Sequence, residues 1–249
     1  MNIALIGFGG MGKTVSAIAK ERGHQIKTIF DPADPMANYK NLTDENLKEI
    51  DVAIDFSSPL AAMEDIDICS KAGVNLIMGT TGWYENMDKV KEIILSSDIG
   101  FLWSSNFSIG VNLYFKIIEN ASKFINNFDE YDIWGHEIHH YNKADSPSGT
   151  AKTLEQILLK NINRKTAIVE EKLNRKRELN EIHFSSVRGG LVNFGHTIGF
   201  DSPADTITIS HSARNRDGYA LGAVKAAEWI VGKKGFFEME DFLREELSK

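Results

Sequence analysis

The apolar residues of the first third of the chain fall into short runs separated by stretches of helical spacing. Asn2–Ile6 (NIALI), Gln25–Phe30 (QIKTIF), Asp51–Phe56 (DVAIDF), Val74–Met78 (VNLIM) and Ile99–Trp103 (IGFLW) have the length and composition of buried strands. Between them, Met11–Arg22, Pro59–Lys71 and Tyr84–Ser96 place apolar side chains at intervals of three and four, the spacing of one helical face. Strands alternating with helices predict βαβ units and an α/β, doubly wound parallel sheet covered on both sides.

From about Val111 the pattern changes. A helix-like Val111–Asn126 leads to an extended Tyr131–His139, then a loop and a helix from Ser148 to about Leu159. Asn161–Glu181 is rich in charge. Ile182–Val187 and Leu191–Phe200 read as strands joined by Arg188-Gly189-Gly190, and Asp205–Ser210 alternates with period two. Consecutive strands joined by turns imply a second, α+β and more antiparallel domain. Tyr219–Val231 and Asp241–Leu247 are helical again and return to the first domain. The expected division is 1–107 with 213–249, and 108–212.

Composition narrows the function. The chain has 249 residues, 42% hydrophobic and 25% charged, enough for two cores. A net charge of -7 offers no basic field to nucleic acid or an anionic membrane. Six Lys or Arg residues fall within Arg164–Arg177, but Glu170 and Glu171 interrupt them, which points to a solvated loop. One cysteine, Cys69, excludes an internal disulfide. With no leader-like start and no apolar run of membrane-spanning length, the expected location is the cytoplasm.

Gly7-Phe8-Gly9-Gly10-Met11-Gly12 fits G-x-G-x-x-G, with a strand before it and a helix after it. In a Rossmann-type unit the first glycine allows the tight turn, the second lets backbone approach a pyrophosphate, and the third lets helix and strand pack. Asp31, 19 residues beyond Gly12, stands where a carboxylate accepts hydrogen bonds from ribose hydroxyls. A carboxylate there repels a 2′-phosphate and Pro32 offers no cation to hold one, so NADH is expected at least to be accepted, with Lys13 a possible aid to NADPH. Gly79-Thr80-Thr81-Gly82 and Ser104-Ser105-Asn106-Phe107 follow strands, at the edge where such sheets bind ligands. Each loop taken alone also fits an ordinary turn.

His136-Glu137-Ile138-His139-His140 satisfies H-E-x-x-H, the zinc motif of metalloproteases when helical. Here the surrounding residues favour a strand, in which the outer histidines stand roughly 13 Å apart at about 3.3 Å per residue. One zinc ion cannot span that distance, so no metal is expected. His139 remains a candidate proton carrier, Lys143 a fixed charge or second donor, and Ser148-Gly149-Thr150 a helix start able to clasp a carboxylate.

Glu137-Ile138-His139-His140-Tyr141-Asn142-Lys143-Ala144-Asp145-Ser146-Pro147-Ser148-Gly149-Thr150-Ala151 resembles the signature E-x-H-H-x-x-K-x-D-x-P-S-G-T-A of the 4-hydroxy-tetrahydrodipicolinate reductase (dihydrodipicolinate reductase) family. GFGGMG, DVAIDFSSP, GTTG, SSNFSIGVN and SVRGG extend the resemblance over nearly the whole chain. It implies a homotetrameric NADH- or NADPH-dependent enzyme of diaminopimelate and lysine biosynthesis, with its cleft between two domains. Hydride would go to C4 of a cyclic dicarboxylate. On that resemblance His139 is the acid/base and Lys143 the proton donor or charge partner. His140, Ser148, Gly149 and Thr150 hold substrate carboxylate, and Arg188 is a candidate for the other carboxylate. Gly7 to Gly12, Asp31, Gly79, Thr80, Thr81, Ser104, Ser105, Asn106 and Phe107 hold the cofactor. One departure is the single residue, Met11, between Gly10 and Gly12; another is Tyr141-Asn142 where relatives are more basic. The alternatives are a different two-domain Rossmann oxidoreductase, which leaves HHxxKxDxPSGT unexplained, and a non-catalytic nucleotide sensor, which needs no acid/base pair.

Overall fold

In the computed structural model, which describes residues 1–248, the chain forms two compact units: Met1–Ile109 together with Arg216 onward, and Gly110–Asn215. The first unit holds β1 (Asn2–Ile6), α1 (Gly10–Glu21), β2 (Gln25–Phe30), β3 (Val52–Asp55), α2 (Ala62–Ala72), β4 (Asn75–Met78), α3 (Met87–Leu95) and β5 (Gly100–Trp103). Its sheet runs β5-β4-β3-β1-β2 in space, with every neighbouring pair parallel. Parallel strands need both faces covered, and β1 shows how the sequence does it. Ile3 and Leu5 join a core with Val15 and Ala19 of α1, while Ala4 and Ile6 join another with Ile66 and Cys69 of α2. Residues 31–51 cross from β2 to β3 without an α-helix; only a short 3-10 turn, Asp44–Leu47, interrupts them.

The second unit contains α4 (Ile109–Ile125), β6 (Asp132–His139), α5 (Gly149–Asn161), β7 (Ala167–Val169), β8 (Glu181–Arg188), β9 (Gly195–Asp201) and β10 (Thr206–Ser212). The sheet order is β10-β9-β6-β8-β7. β10–β9 and β9–β6 are antiparallel, but β6–β8 and β8–β7 are parallel, so the sheet is mixed rather than antiparallel throughout. Ile133, Ile182, Phe184, Ile198 and Phe200 pack on one face against Ile118 of α4 and Leu154 and Leu158 of α5. The third strand-like run begins at Gly195 rather than Leu191, because Leu191–Phe194 is spent in the turn.

The chain returns to the first unit through α6 (Asp217–Ile230), β11 (Gly235–Glu238) and α7 (Met239–Leu247). The small residues of α6 are a steric requirement: a Cβ on Gly222 would stand 1.7 Å from the Phe107 carbonyl oxygen. β11 pairs in parallel with β5 and closes a six-stranded sheet.

The cationic segment around 164–177 is more than a solvated loop. Lys165 is buried and donates to Asp132 at 2.6 Å and to the Leu179 carbonyl at 2.6 Å, while Arg175 pairs with Glu181 at 2.7 Å. These cations tie β6 and β8 to their flanking loops. No helix among the described residues is long and apolar enough to cross a membrane.

Candidate active site

The glycine turn in the first unit is shaped by contacts that exclude side chains. Gly7 has φ +85°, and a Cβ there would lie 2.3 Å from the Phe56 carbonyl oxygen. A Cβ on Gly12 would lie 2.2 Å from the Gly7 carbonyl oxygen, so α1 approaches β1 only because that position is glycine. Gly9 caps α1 without any side-chain acceptor, and a Cβ there would meet nothing within 4 Å. The first N–H groups of α1 thus have no side-chain cap at the positive end of the helix, which fits a pyrophosphate. The Arg216 guanidinium lies 3.1 Å from where a Gly10 Cβ would be, adding a cation that no local motif announces.

Asp31 closes this turn. Its Oδ2 accepts the Phe8 N–H at 2.7 Å, and its Oδ1 accepts the N–H groups of Ala33 (2.8 Å) and Asp34 (2.9 Å). The Phe8 N–H, above all, holds the Asp31 carboxyl below the usual range against the effect of burial. A cavity of about 480 Å³ opens beside it, lined by Gly7, Gly9, Asp31, Pro32, Lys40, Ser57, Glu64 and Asp65 among others. Lys13 is paired with Asp34 at 2.7 Å and so is already engaged.

The other two loops follow β4 and β5. Thr80 is a buried hub: its hydroxyl donates to Asp55 at 2.8 Å and accepts the Ser57 N–H at 2.8 Å, and its carbonyl accepts the Trp83 indole at 2.8 Å. Gly79 sits against the Phe56 ring, where a Cβ would come within 2.2 Å. Thr81 and Ser105 are exposed. Ser104 donates to the Asn106 carbonyl at 2.9 Å. The side chains of Phe8 and Phe107 are core members, so only their backbone is available to a ligand. Beneath the loops, Asp55 and Asp65 form a buried carboxyl pair; burial raises both, and Asp65 reaches about 8.

In the second unit the signature forms a polar cluster on the inner face of the sheet. HEIHH is in β6 and its end, not on a helix. His136 faces the other way, its ring 5.9 Å from that of Trp134 and nearly parallel to it. Glu137 and His139 turn inward together because they are two residues apart on a strand. The fully buried Glu137 accepts three hydrogen bonds on Oε1: from the Ser148 N–H (3.0 Å), the Ser186 hydroxyl (2.9 Å) and Arg188 Nη2 (2.8 Å). His196, opposite Glu137 in register on β9, places Nε2 3.2 Å from Oε2, and His139 Nδ1 stands 3.5 Å from the same oxygen.

Burial pushes the Glu137 carboxyl up, but the donors His196, Ser148, Arg188 and Ser186 outweigh it and hold it well below the carboxylate range. Burial lowers His139 to about 4; Glu137 opposes this, while His196, Arg188 and Lys143 add to it. His139 is thus neutral at neutral pH. Lys143 sits on Asp145, at 2.7 and 3.0 Å. Ser148 is consumed as the cap of α5, accepting the Ala151 N–H at 3.2 Å and lying 3.1 Å from His196. That leaves the Gly149 and Thr150 end of α5 for an anion. Arg188 Nη2 bonds both Glu137 and the Asp145 carbonyl (2.5 Å) and Nη1 the Val187 carbonyl, so most of its guanidinium is engaged within the protein. His140 lies beside the strand end with its ring 6.4 Å from Phe194.

Fold and clusters together define a two-domain oxidoreductase with a Rossmann dinucleotide unit. Residues 1–107 match the family model described as dihydrodipicolinate reductase, N-terminus, and residues 110–243 match its C-terminus. The chain belongs to the dihydrodipicolinate reductase family. A 4-hydroxy-tetrahydrodipicolinate reductase of Christiangramia forsetii is 42% identical, with 98% of each chain covered. One from Archaeoglobus fulgidus is 35% identical over 98% of this chain and 100% of its own. Among solved structures, a dipicolinate-bound dihydrodipicolinate reductase from Paenisporosarcina sp. TG-14 superimposes with a TM-score of 0.77 at 21% identity, covering 96% of this chain and 97% of that one. A probable dehydrogenase from Thermotoga maritima shares the fold at a TM-score of 0.59 and 12% identity, covering 97% and 92%.

Proposed function

We propose that the protein reduces 4-hydroxy-tetrahydrodipicolinate, the compound in its relatives' names, in diaminopimelate and lysine biosynthesis in the cytoplasm. The reductant is NADH or NADPH. The observation that carries this reading is the buried pair of Glu137 and His139 beside the start of α5, with Lys143 in the loop that joins them, all within one signature. When bound, the reduced nicotinamide supplies the hydride that the ring carbon accepts. The chain's own residues do the rest. Gly9 and Gly10 bind the phosphates, and Asp31 takes the ribose hydroxyls. The free N–H groups of Gly149 and Thr150, with Lys143 and His140, hold a carboxylate of a planar diacid such as the dipicolinate bound by the Paenisporosarcina relative. Lys143, paired with Asp145 at 2.7 Å, stands next in the signature as the second proton donor or charge partner. His139, neutral in the unliganded protein, takes one up only when the diacid brings negative charge beside it, and then delivers it to the carbon next to the reduced one.

Half-buried Trp134, His136 and Ile138 line the outer face of β6, turned away from α4 and α5. We assign this face to self-association as a homotetramer; light scattering reporting a monomer would overturn that assignment.

The activity is tested by mixing purified protein, freshly generated substrate and either cofactor, and following loss of reduced-nicotinamide absorbance. Oxidation with at least NADH is expected, and its absence with both cofactors overturns the reading. Lys143→Ala and His139→Gln should each lower kcat roughly 10²–10⁴-fold, with cofactor affinity little changed. Full activity in either removes that residue from the mechanism.

A further inference from the structure

Glu137 is a fully buried carboxylate whose two oxygens have different surroundings. Oε1 is saturated by the Ser148 N–H, the Ser186 hydroxyl and Arg188. Oε2 faces only imidazoles, His196 Nε2 at 3.2 Å and His139 Nδ1 at 3.5 Å. An ionised oxygen in a dry site repels a ring-nitrogen lone pair, so the carboxylate favours a hydrogen on each of these nitrogens, although Oε2 accepts no aligned hydrogen bond in the unliganded protein. His139 is then the Nδ1–H tautomer, and its Nε2 is the atom that gains and loses the reactive proton. We propose that Glu137, held by His196, is a positioning residue for His139. Its Oε2 fixes the tautomer and ring direction and stabilises the imidazolium that forms as the proton is taken up, the logic of any buried carboxylate–histidine pair. His196, which lies 3.1 Å from Ser148 Oγ, keeps Oε2 turned toward His139 and ties the pair to the start of α5.

Ring contacts support the assignment. His139 packs edge-on against Phe194 (5.5 Å) and His196 (5.1 Å), so its plane is fixed from β9 and the turn before it. The charged or titratable groups around it are Glu137 on its own strand, His196 on β9, Arg188 on β8 and Lys143 in the following loop. Glu137 is the one that favours the imidazolium. The same three groups, Glu137, His139 and His196, lie within 4.8 Å of one another and have the makings of a metal site. Arg188 argues against that use, because its guanidinium already neutralises the carboxylate at 2.8 Å.

The proposal rests on the reductase reading, and its first test is independent of turnover. Long-range ¹H–¹⁵N NMR of the histidine rings should show His139 protonated on Nδ1 at pH 7. Protonation on Nε2 overturns the proposal, as does about one equivalent of tightly held metal by elemental analysis. In the enzyme, Glu137→Gln should lower kcat about 10- to 100-fold with the NADH KM within about twofold, and move the alkaline limb of the kcat profile to lower pH. An unchanged kcat profile overturns it. Should Glu137→Gln fail to fold, His196→Gln, which keeps a donor toward Oε2, is expected to retain more activity than His196→Ala; equal losses overturn the proposal.

Discussion

Asp31 holds the turn before it binds anything. Three N–H groups already converge on its carboxylate, leaving a lone pair for a ribose hydroxyl and a negative charge beside any 2′-phosphate. Glu64 lines the same cavity as Asp31, so acidic side chains there outnumber Lys40 even with Asp65 holding its proton. Asp31→Asn should therefore raise the KM for NADH about tenfold through lost charge-assisted hydrogen bonds, and raise that for NADPH less. Steady-state kinetics with both cofactors check it; a widened preference for NADH would contradict it. This residue was legible because its distance from the glycine turn is set by one strand–helix–strand unit. His196 was not, because its partner Glu137 lies far away in sequence and only the register of β6 and β9 brings them together. Arg216 escaped for the same reason: it reaches Gly10 from the far end of the chain.

Whole elements were readable wherever one periodicity dominated. The five strands and flanking helices of the first sheet follow from buried runs and helical spacing, and β6 from β-branched and aromatic residues around a central glycine, which place HEIHH on a strand rather than a helix. β11 was not readable. Three of its four residues are half-buried; it starts at a glycine with φ +116° and ends at the exposed Glu238, which is also the cap of α7 in a reciprocal capping box with Asp241. A residue serving two elements blurs the boundary between them. β7, three residues long, carries too little pattern to separate it from a charged loop. Helix starts are where this fold is most sensitive. Gly12→Ala would drive a Cβ into the Gly7 carbonyl and push α1 off β1, so thermal unfolding should show a loss of several °C and dinucleotide binding should weaken at least tenfold. Ser148→Ala removes both the α5 cap and a partner of His196. About 1 kcal/mol of stability should be lost in urea titration, and activity should fall with it.

At the scale of the molecule, buried ionisable groups set how stability varies with pH, and two of them pull in opposite directions. His139 titrates at about 4 in the folded protein and near 6.5 otherwise. Its contribution is present above pH 6.5 and is lost as pH falls toward 4, since the unfolded chain then binds the extra proton. Asp65 does the reverse. Burial first, then the charge of Asp55, lifts it from 3.8 to about 8. Across that window the folded chain holds the extra proton, so stability is whole below the lower value and drains away as pH rises through the upper one. From pH 4 to 6.5 the two trends offset, and above 6.5 His139 no longer offsets the Asp65 loss. Asp65→Asn supplies the neutral, proton-bearing form permanently. In urea titrations the variant should match the wild type only below about pH 3.8 and already be the more stable of the two at pH 5. Its advantage should be larger at pH 8, the difference growing by up to about 1.4 kcal/mol per pH unit between them. A difference that stays constant from pH 5 to pH 8 would mean that the pair beneath the dinucleotide loops shares no proton. The downward limb of the stability curve would then have to come from another group, such as Glu155, which burial lifts to about 7.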